Sequence, residues 1–357
     1  MRTLLTIGLL AASVLTASAH ETGQLPQFGG LPLSGTLGGA SPTASGAVVF
    51  QSGPSAPTRA PYDMVLMQGD SLTDGLRLEI SRKELSGAWS PWRAAALYRR
   101  PNGRFWARAE FSSASNASLR LRVIRVSPKA ASSFNLYALE VLLSGMKSEL
   151  RPESNVPMRP VIRSRAPVFI SRAQWGAKPP KEDPVSHTPL KITQHHSAGR
   201  QTHSLAESLE EVRFIQDFHQ NGRGWSDIGY HFLIDKDGRI FEGRPLNVQG
   251  AHVRGANAGN IGIVLLGFHH EPYDHSVSAQ QIQSIRAIGR WLVSNYEISP
   301  SEYFGHRDQG QTSCPGDVLY ALLGKIQNGF SRSAWATSMD ILMRRVFLSG
   351  PAAASLE

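Results

Sequence analysis

The chain has 357 residues, 41% of them hydrophobic and 18% charged, with 33 glycines, 22 prolines and one cysteine. That length and apolar content exclude a disordered chain and suit two ordinary domains, and the Gly and Pro content favours strands and loops over long helices. A lone cysteine excludes an internal disulfide. The net charge of +9 is uneven, because from Arg59 to Arg165 there are 18 Lys and Arg against 9 Asp and Glu, an excess equal to that of the whole chain.

In chain order, residues 1–19 read as a signal peptide: Arg2, an apolar run over 4–15, and Ala17-Ser18-Ala19 before His20. The run is too short to span a bilayer, and no later stretch approaches transmembrane length. The protein is therefore expected to be exported, periplasmic or secreted. Residues 20–46, rich in Gly, Ser, Pro and Thr, read as a flexible segment. Strand-like runs follow at 46–50, 76–80, 105–111 and 119–126, with a tight turn at Pro101-Asn102-Gly103. In the last run Leu119, Leu121 and Val123 alternate with Arg120 and Arg122, which gives a half-buried strand with one basic face. Residues 47–148 are read as a small β-rich accessory domain. On an exported protein its positive charge suits anionic wall polymers or lipid headgroups rather than nucleic acid.

A Pro- and Arg-rich connector, 149–168, leads to an α/β pattern over 169–330. A strand at 190–196 precedes Ser204-Leu205-Ala206-Glu207, a capping box opening a helix with Leu205, Leu209, Val212 and Ile215 on one face. Residues 230–234 and 239–242 form a hairpin, and 260–267 is a buried strand. Ser278 caps a second helix with Ile282, Ile285, Ile288 and Leu292 inward, a short strand covers 303–306, and a helix lies near 318–323. The expected fold is a mixed central β-sheet flanked by helices, preceded by the β-rich domain. Residues 331–357 are a C-terminal tail to which the sequence assigns no role.

The chemistry concentrates on His195 or His196 at one strand end, His306 at another, and Cys314 in the loop that follows. A single cysteine in an exported chain is a buried thiol, a nucleophile or a metal ligand. Imidazole and thiolate are good zinc ligands, and three protein ligands leave a fourth tetrahedral position open for chemistry. The H-E-x-x-H helix of common metalloproteases is absent. Spacing alone leaves open a core histidine beside a buried thiol.

The run 171–316 resembles the peptidoglycan recognition protein and N-acetylmuramoyl-L-alanine amidase (type 2) family. The strings that carry the resemblance are Ser171-Arg172-Ala173-Gln174-Trp175-Gly176, Thr193-Gln194-His195-His196-Ser197, Gly224-Trp225-Ser226-Asp227-Ile228-Gly229-Tyr230, Gly250-Ala251-His252, Asn260-Ile261-Gly262, His306-Arg307-Asp308 and Thr312-Ser313-Cys314-Pro315-Gly316. The resemblance implies zinc held by His195, His306 and Cys314. His195 is preferred over His196 as the residue two before the serine, and adjacent strand residues face opposite ways. It implies Tyr230 as the catalytic tyrosine and Thr312 as a second oxyanion-stabilising group. It also implies substrate contacts from His252 and Asn260. Arg254 suits a stem-peptide carboxylate. The implied reaction cleaves the amide between the lactyl group of N-acetylmuramic acid and L-alanine in peptidoglycan. The alternative is a non-catalytic recognition protein; family members without the cysteine bind but do not cut. Asn247-Val248, expected at a stem-peptide-selecting position, fits neither the Gly-Trp nor the Asn-Phe pattern. The oligomeric state is not legible.

Overall fold

A computed structural model describes residues 33–36, 46–71, 75–127, 133–144 and 164–331. The expected signal peptide, nearly all of the Gly/Ser-rich segment, most of the connector and the tail beyond residue 331 lie outside the described residues.

The first half contains β1 (Leu33–Thr36), β2 (Val48–Gln51), β3 (Tyr62–Ser71), β4 (Leu76–Arg82), β5 (Arg93–Ala94), β6 (Ala96–Arg99), β7 (Arg104–Ser115), β8 (Leu119–Arg125) and β9 (Ser133–Leu142). They make two sheets, ordered β1-β9-β3-β7-β6 and β2-β8-β4-β5, with every pairing antiparallel. The sheets pack face to face around Val65, Met67, Leu78, Ile80, Phe105, Leu121 and Leu136. On β8 the expected alternation is present, with Leu119, Leu121 and Val123 buried. Two of its three arginines are engaged: Arg120 lies 4.4 Å over Trp89, and Arg122 lies 4.4 Å over Trp92 while pairing with Glu79 at 2.6 Å. The basic face is thus partly stacked and neutralised rather than open.

The runs that form β3 and β9 did not read as strands. Both lie inside the larger sheet and bury residues on both faces, so the period-two pattern is lost. Their outer face is covered by the second half of the chain.

That half contains α1 (Arg172–Trp175), β10 (Lys191–His196), α2 (Leu205–Asp217) with a π-helical turn Phe218–Gly222, β11 (Phe232–Ile234), β12 (Ile240–Glu242), β13 (Asn260–Leu265), α3 (Ala279–Tyr296), β14 (Tyr303–Gly305), α4 (Asp317–Tyr320) and α5 (Leu323–Gln327). The sheet order is β12-β11-β13-β10-β14; β10 runs parallel to β13 and β14, and only the β11–β12 hairpin is antiparallel. One face packs Ile192 and Ile263 against Ile285, Ile288 and Leu292 of α3. The other packs Leu233 and Val264 against Val212, Phe214 and Ile215 of α2. The expected mixed sheet flanked by helices is what forms.

Helix starts follow their caps. Ser278 and Gln281 close a reciprocal capping box at α3. At α2 Ser204 accepts from the Glu207 N–H, but the Glu207 carboxylate reaches the His203 N–H, one residue outside the expected box. Leu205, expected on the inner face of α2, is 43% exposed; it is the first helical residue and lies beyond the core.

The two halves share an interior. Leu66 and Trp106 of the larger β-sheet join the core of α2, beside Phe214 and Phe218. Arg104 of β7, with no exposure, makes two 2.9 Å hydrogen bonds to the equally buried Glu211 of α2. Trp106 donates to Asp217 at 3.0 Å, and Arg223 pairs with Glu140 of β9. No helix among the described residues is long and apolar enough to cross a membrane.

Candidate metal centre

β10 alternates its side chains, and this decides which histidine of the pair meets the loop behind β14. Thr193 and His195 face the α2 side, while Ile192, Gln194 and His196 face the other. His196 sits 5.4 Å from the Phe268 ring and accepts from the His269 N–H at 3.4 Å. His195 instead meets His306, ring centroids 4.6 Å apart, and its Nδ1 lies 3.6 Å from the Cys314 sulfur. Ligand atoms of His195, His306 and Cys314 all fall within 4.8 Å of one another, and all three residues are buried.

His306 opens a short 3-10 turn directly after β14. Cys314 is brought back to it by a compact loop. The Arg307 N–H donates to the Cys314 carbonyl at 2.9 Å, and Arg307 also pairs with Asp317 at 2.7 Å. Gly316 has φ +89°, and a Cβ there would stand 2.0 Å from the His269 carbonyl oxygen, so the turn requires glycine. Thr312 accepts from the Cys314 N–H at 3.1 Å, which makes its hydroxyl part of the ligand loop.

The charge states suit a cation. Burial pulls His195 well below the usual imidazole range, with His306 and His252 adding to the effect, and pulls His306 down to about 4. Both rings therefore present lone pairs at neutral pH. Burial pushes the Cys314 thiol up to about 12, so on its own it is a poor nucleophile. A thiolate at that place requires a positive partner. A tetrahedral metal with bonds of about 2.1 Å to nitrogen and 2.3 Å to sulfur has ligand–ligand edges of roughly 3.3–3.8 Å, and the 3.6 Å Sγ···Nδ1 separation falls inside that range. The donor set fits zinc.

Tyr230 stands beside this cluster, 5.2 Å from the His195 ring. Burial, with Cys314 adding to it, raises its phenol above the usual range, so it remains protonated. One further aromatic ring, not singled out by sequence, borders Tyr230. His219, from the π-helical turn, lies 5.6 Å from Tyr230 and 4.7 Å from Trp225. No motif marks His219; only the turn at the end of α2 brings it here. Asn247 lies elsewhere, lining a cavity of about 710 Å³ with Phe169, Phe232, Trp291 and Tyr296 on the α3 face of the sheet.

His252 and Asn260 were expected to meet substrate; in the structure both side chains are buried and hydrogen-bonded within the chain. Asn260 is fully buried and its side chain is committed: Oδ1 accepts from Thr193, and Nδ2 donates to the Ala256 carbonyl and to Gln309. His252 is 3% exposed and bonds the back of His195 at 3.0 Å. Arg254 lies half-buried on the loop before β13.

Residues 186–317 match the sequence family described as N-acetylmuramoyl-L-alanine amidase. Peptidoglycan-recognition protein SC2 of Drosophila simulans is 35% identical over 155 residues, 43% of this chain and 82% of the relative. The chain belongs to the peptidoglycan recognition protein and amidase family. Peptidoglycan recognition protein 1 of Bos taurus is 35% identical over 160 residues, again 43% of this chain and 82% of the relative. Peptidoglycan-recognition protein LB of Drosophila melanogaster is 36% identical over 157 residues, 43% and 66% of the two chains. Among solved structures, the N-acetylmuramoyl-L-alanine amidase LysC from Clostridium intestinale aligns with a TM-score of 0.39 at 31% identity, over 46% of this chain and 99% of its own. The family match lies wholly downstream of the two antiparallel sheets.

Proposed function

We propose that this protein is a zinc-dependent N-acetylmuramoyl-L-alanine amidase that hydrolyses the bond between the N-acetylmuramic acid lactyl group and L-alanine of peptidoglycan. The observation that carries the reading is Cys314 meeting His195 and His306 in one buried cluster. A family member that only binds the wall has no need of a buried thiol held against two neutral imidazoles.

His195, His306 and Cys314 would hold the ion. When bound, zinc supplies a Lewis acid for the carbonyl and lowers the pKa of water near it. The remaining work falls to the chain. Tyr230 keeps its proton and donates it as a hydrogen bond to the oxygen that becomes negative in the transition state. Thr312 accepts from the Cys314 N–H through its oxygen, which leaves its own proton for the same charge. Arg254 would pair with a carboxylate of the stem peptide. The proposed place of action is outside the cytoplasm, in keeping with the signal-peptide reading of residues 1–19. The positive excess of the first half would favour anionic wall polymers.

The test is mass spectrometry of purified sacculi digested with and without a chelator. New stem peptides beginning at L-alanine, lost on chelation and restored by zinc, are expected. Retained binding to sacculi with no cleavage at any zinc level would replace the enzyme with a recognition protein.

A further inference from the structure

The back of the metal cluster contains a chain of hydrogen bonds whose direction can be read from one end. The His252 Nε2 lies 3.0 Å from the Asn260 main-chain carbonyl oxygen. A carbonyl only accepts, so this nitrogen carries a proton. A neutral His252 then presents a lone pair at Nδ1, which lies 3.0 Å from the His195 Nε2. That nitrogen must donate, so the lone pair of His195 sits on Nδ1, the atom facing the Cys314 sulfur. We propose that His252 is the positioning residue of the metal site, fixing His195 as the Nε2–H tautomer and aiming Nδ1 at the ion.

The ring is held for this purpose by its surroundings. A Cβ on Gly262 would stand 2.8 Å from the His252 ring, and one on Gly250 would stand 2.5 Å from it, so two glycines open the slot it occupies. The main-chain N–H groups of His252 and Val253 both donate to Asn257 Oδ1 at 2.8 Å, which pins the loop on the other side. The planes of His195 and His252 cross at 88°, so the Nδ1 lone pair of His252 points at the edge of His195. These residues form the Gly250-Ala251-His252 and Asn260-Ile261-Gly262 strings, and their common task is to present His195. Outer-shell partners of this type typically hold about 10–100-fold in metal affinity.

The proposal rests on the zinc reading above, and its test uses metal binding and tautomer state rather than turnover. Metal-stripped full-length protein is titrated with zinc against a chromophoric chelator. His252→Phe is expected to lose about 10–100-fold in affinity with an unchanged far-UV circular dichroism spectrum. His252→Gln, whose amide can accept from His195 and donate to Asn260, is expected to recover most of it. Gly262→Ala, which displaces the ring without altering it, should resemble His252→Phe. Long-range nitrogen–proton NMR of the wild-type zinc form should show His195 protonated at Nε2, and this readout stands even if a variant fails to fold. Zinc affinity unchanged in a folded His252→Phe, or His195 bonded to metal through Nε2, overturns the proposal while leaving the amidase reading intact. A wild-type protein that binds no zinc sinks the amidase reading itself.

Discussion

At the scale of single residues, Tyr230 and Cys314 should separate cleanly. Tyr230→Phe removes one donor to the developing oxyanion, and such losses cost about 10²–10³ in kcat. Zinc content, read by elemental analysis of the purified variant, should stay at the wild-type level, because the phenol is beside the cluster and not in it. Cys314→Ser should lose both zinc and hydrolysis, since a hydroxyl is a weaker ligand than a thiolate; a zinc-loaded and active serine variant would refute the ligand assignment. Ligand chemistry pointed to His306, Cys314 and one of the His195-His196 pair; the choice of His195, and Tyr230 altogether, came from the resemblance of the strings to the family. The strings did not reveal that the side chains of His252 and Asn260 are buried and engaged within the chain. Spacing along a chain says which residues come near one another, but not which of them is left open to solvent.

At the scale of elements, the loop from His306 to Gly316 and the helix caps carry most of what can be tested. Gly316→Ala combines a left-handed φ with a Cβ 2.0 Å from a carbonyl oxygen. It should lower the melting temperature more than Ser278→Ala, which removes one cap from α3 at about 1 kcal/mol. Equal shifts for the two would mean that the loop relaxes around the added methyl. α3 was legible because its cap and its inner face of Ile285, Ile288 and Leu292 agree. The strands β3 and β9 were not, because layers on both sides bury them and erase the alternation that marks a half-covered strand.

At the scale of the whole molecule, buried neutral histidines set the pH response. Burial lowers His187 and His269 to about 4, despite hydrogen bonds that act the other way. The unfolded chain takes up protons at these rings near pH 6.5, and the folded chain refuses them until about pH 4. Their contribution is therefore complete above the unfolded value and is lost as pH falls through the folded one. Thermal denaturation of the metal-free protein should show a melting temperature that drops steeply between about pH 6.5 and about 4; a flat profile there would show these rings to be solvated.

The Arg104–Glu211 pair belongs to the same scale, because its members come from the two halves of the chain. Arg104→Met alone strands a buried carboxylate and should cost about 3–5 kcal/mol, whereas pairing it with Glu211→Leu should recover much of that. Chemical denaturation of the two single variants and the double variant measures the difference. Nothing in the sequence announced this pairing across 107 positions. It gives the covalent thread between the halves a minor role. If residues 145–163 were cut by a protease, each fragment would have to expose its share of a common core and an unpaired charge in order to leave. The nicked protein should then elute in gel filtration at the volume of the uncut one, and separate only in denaturant.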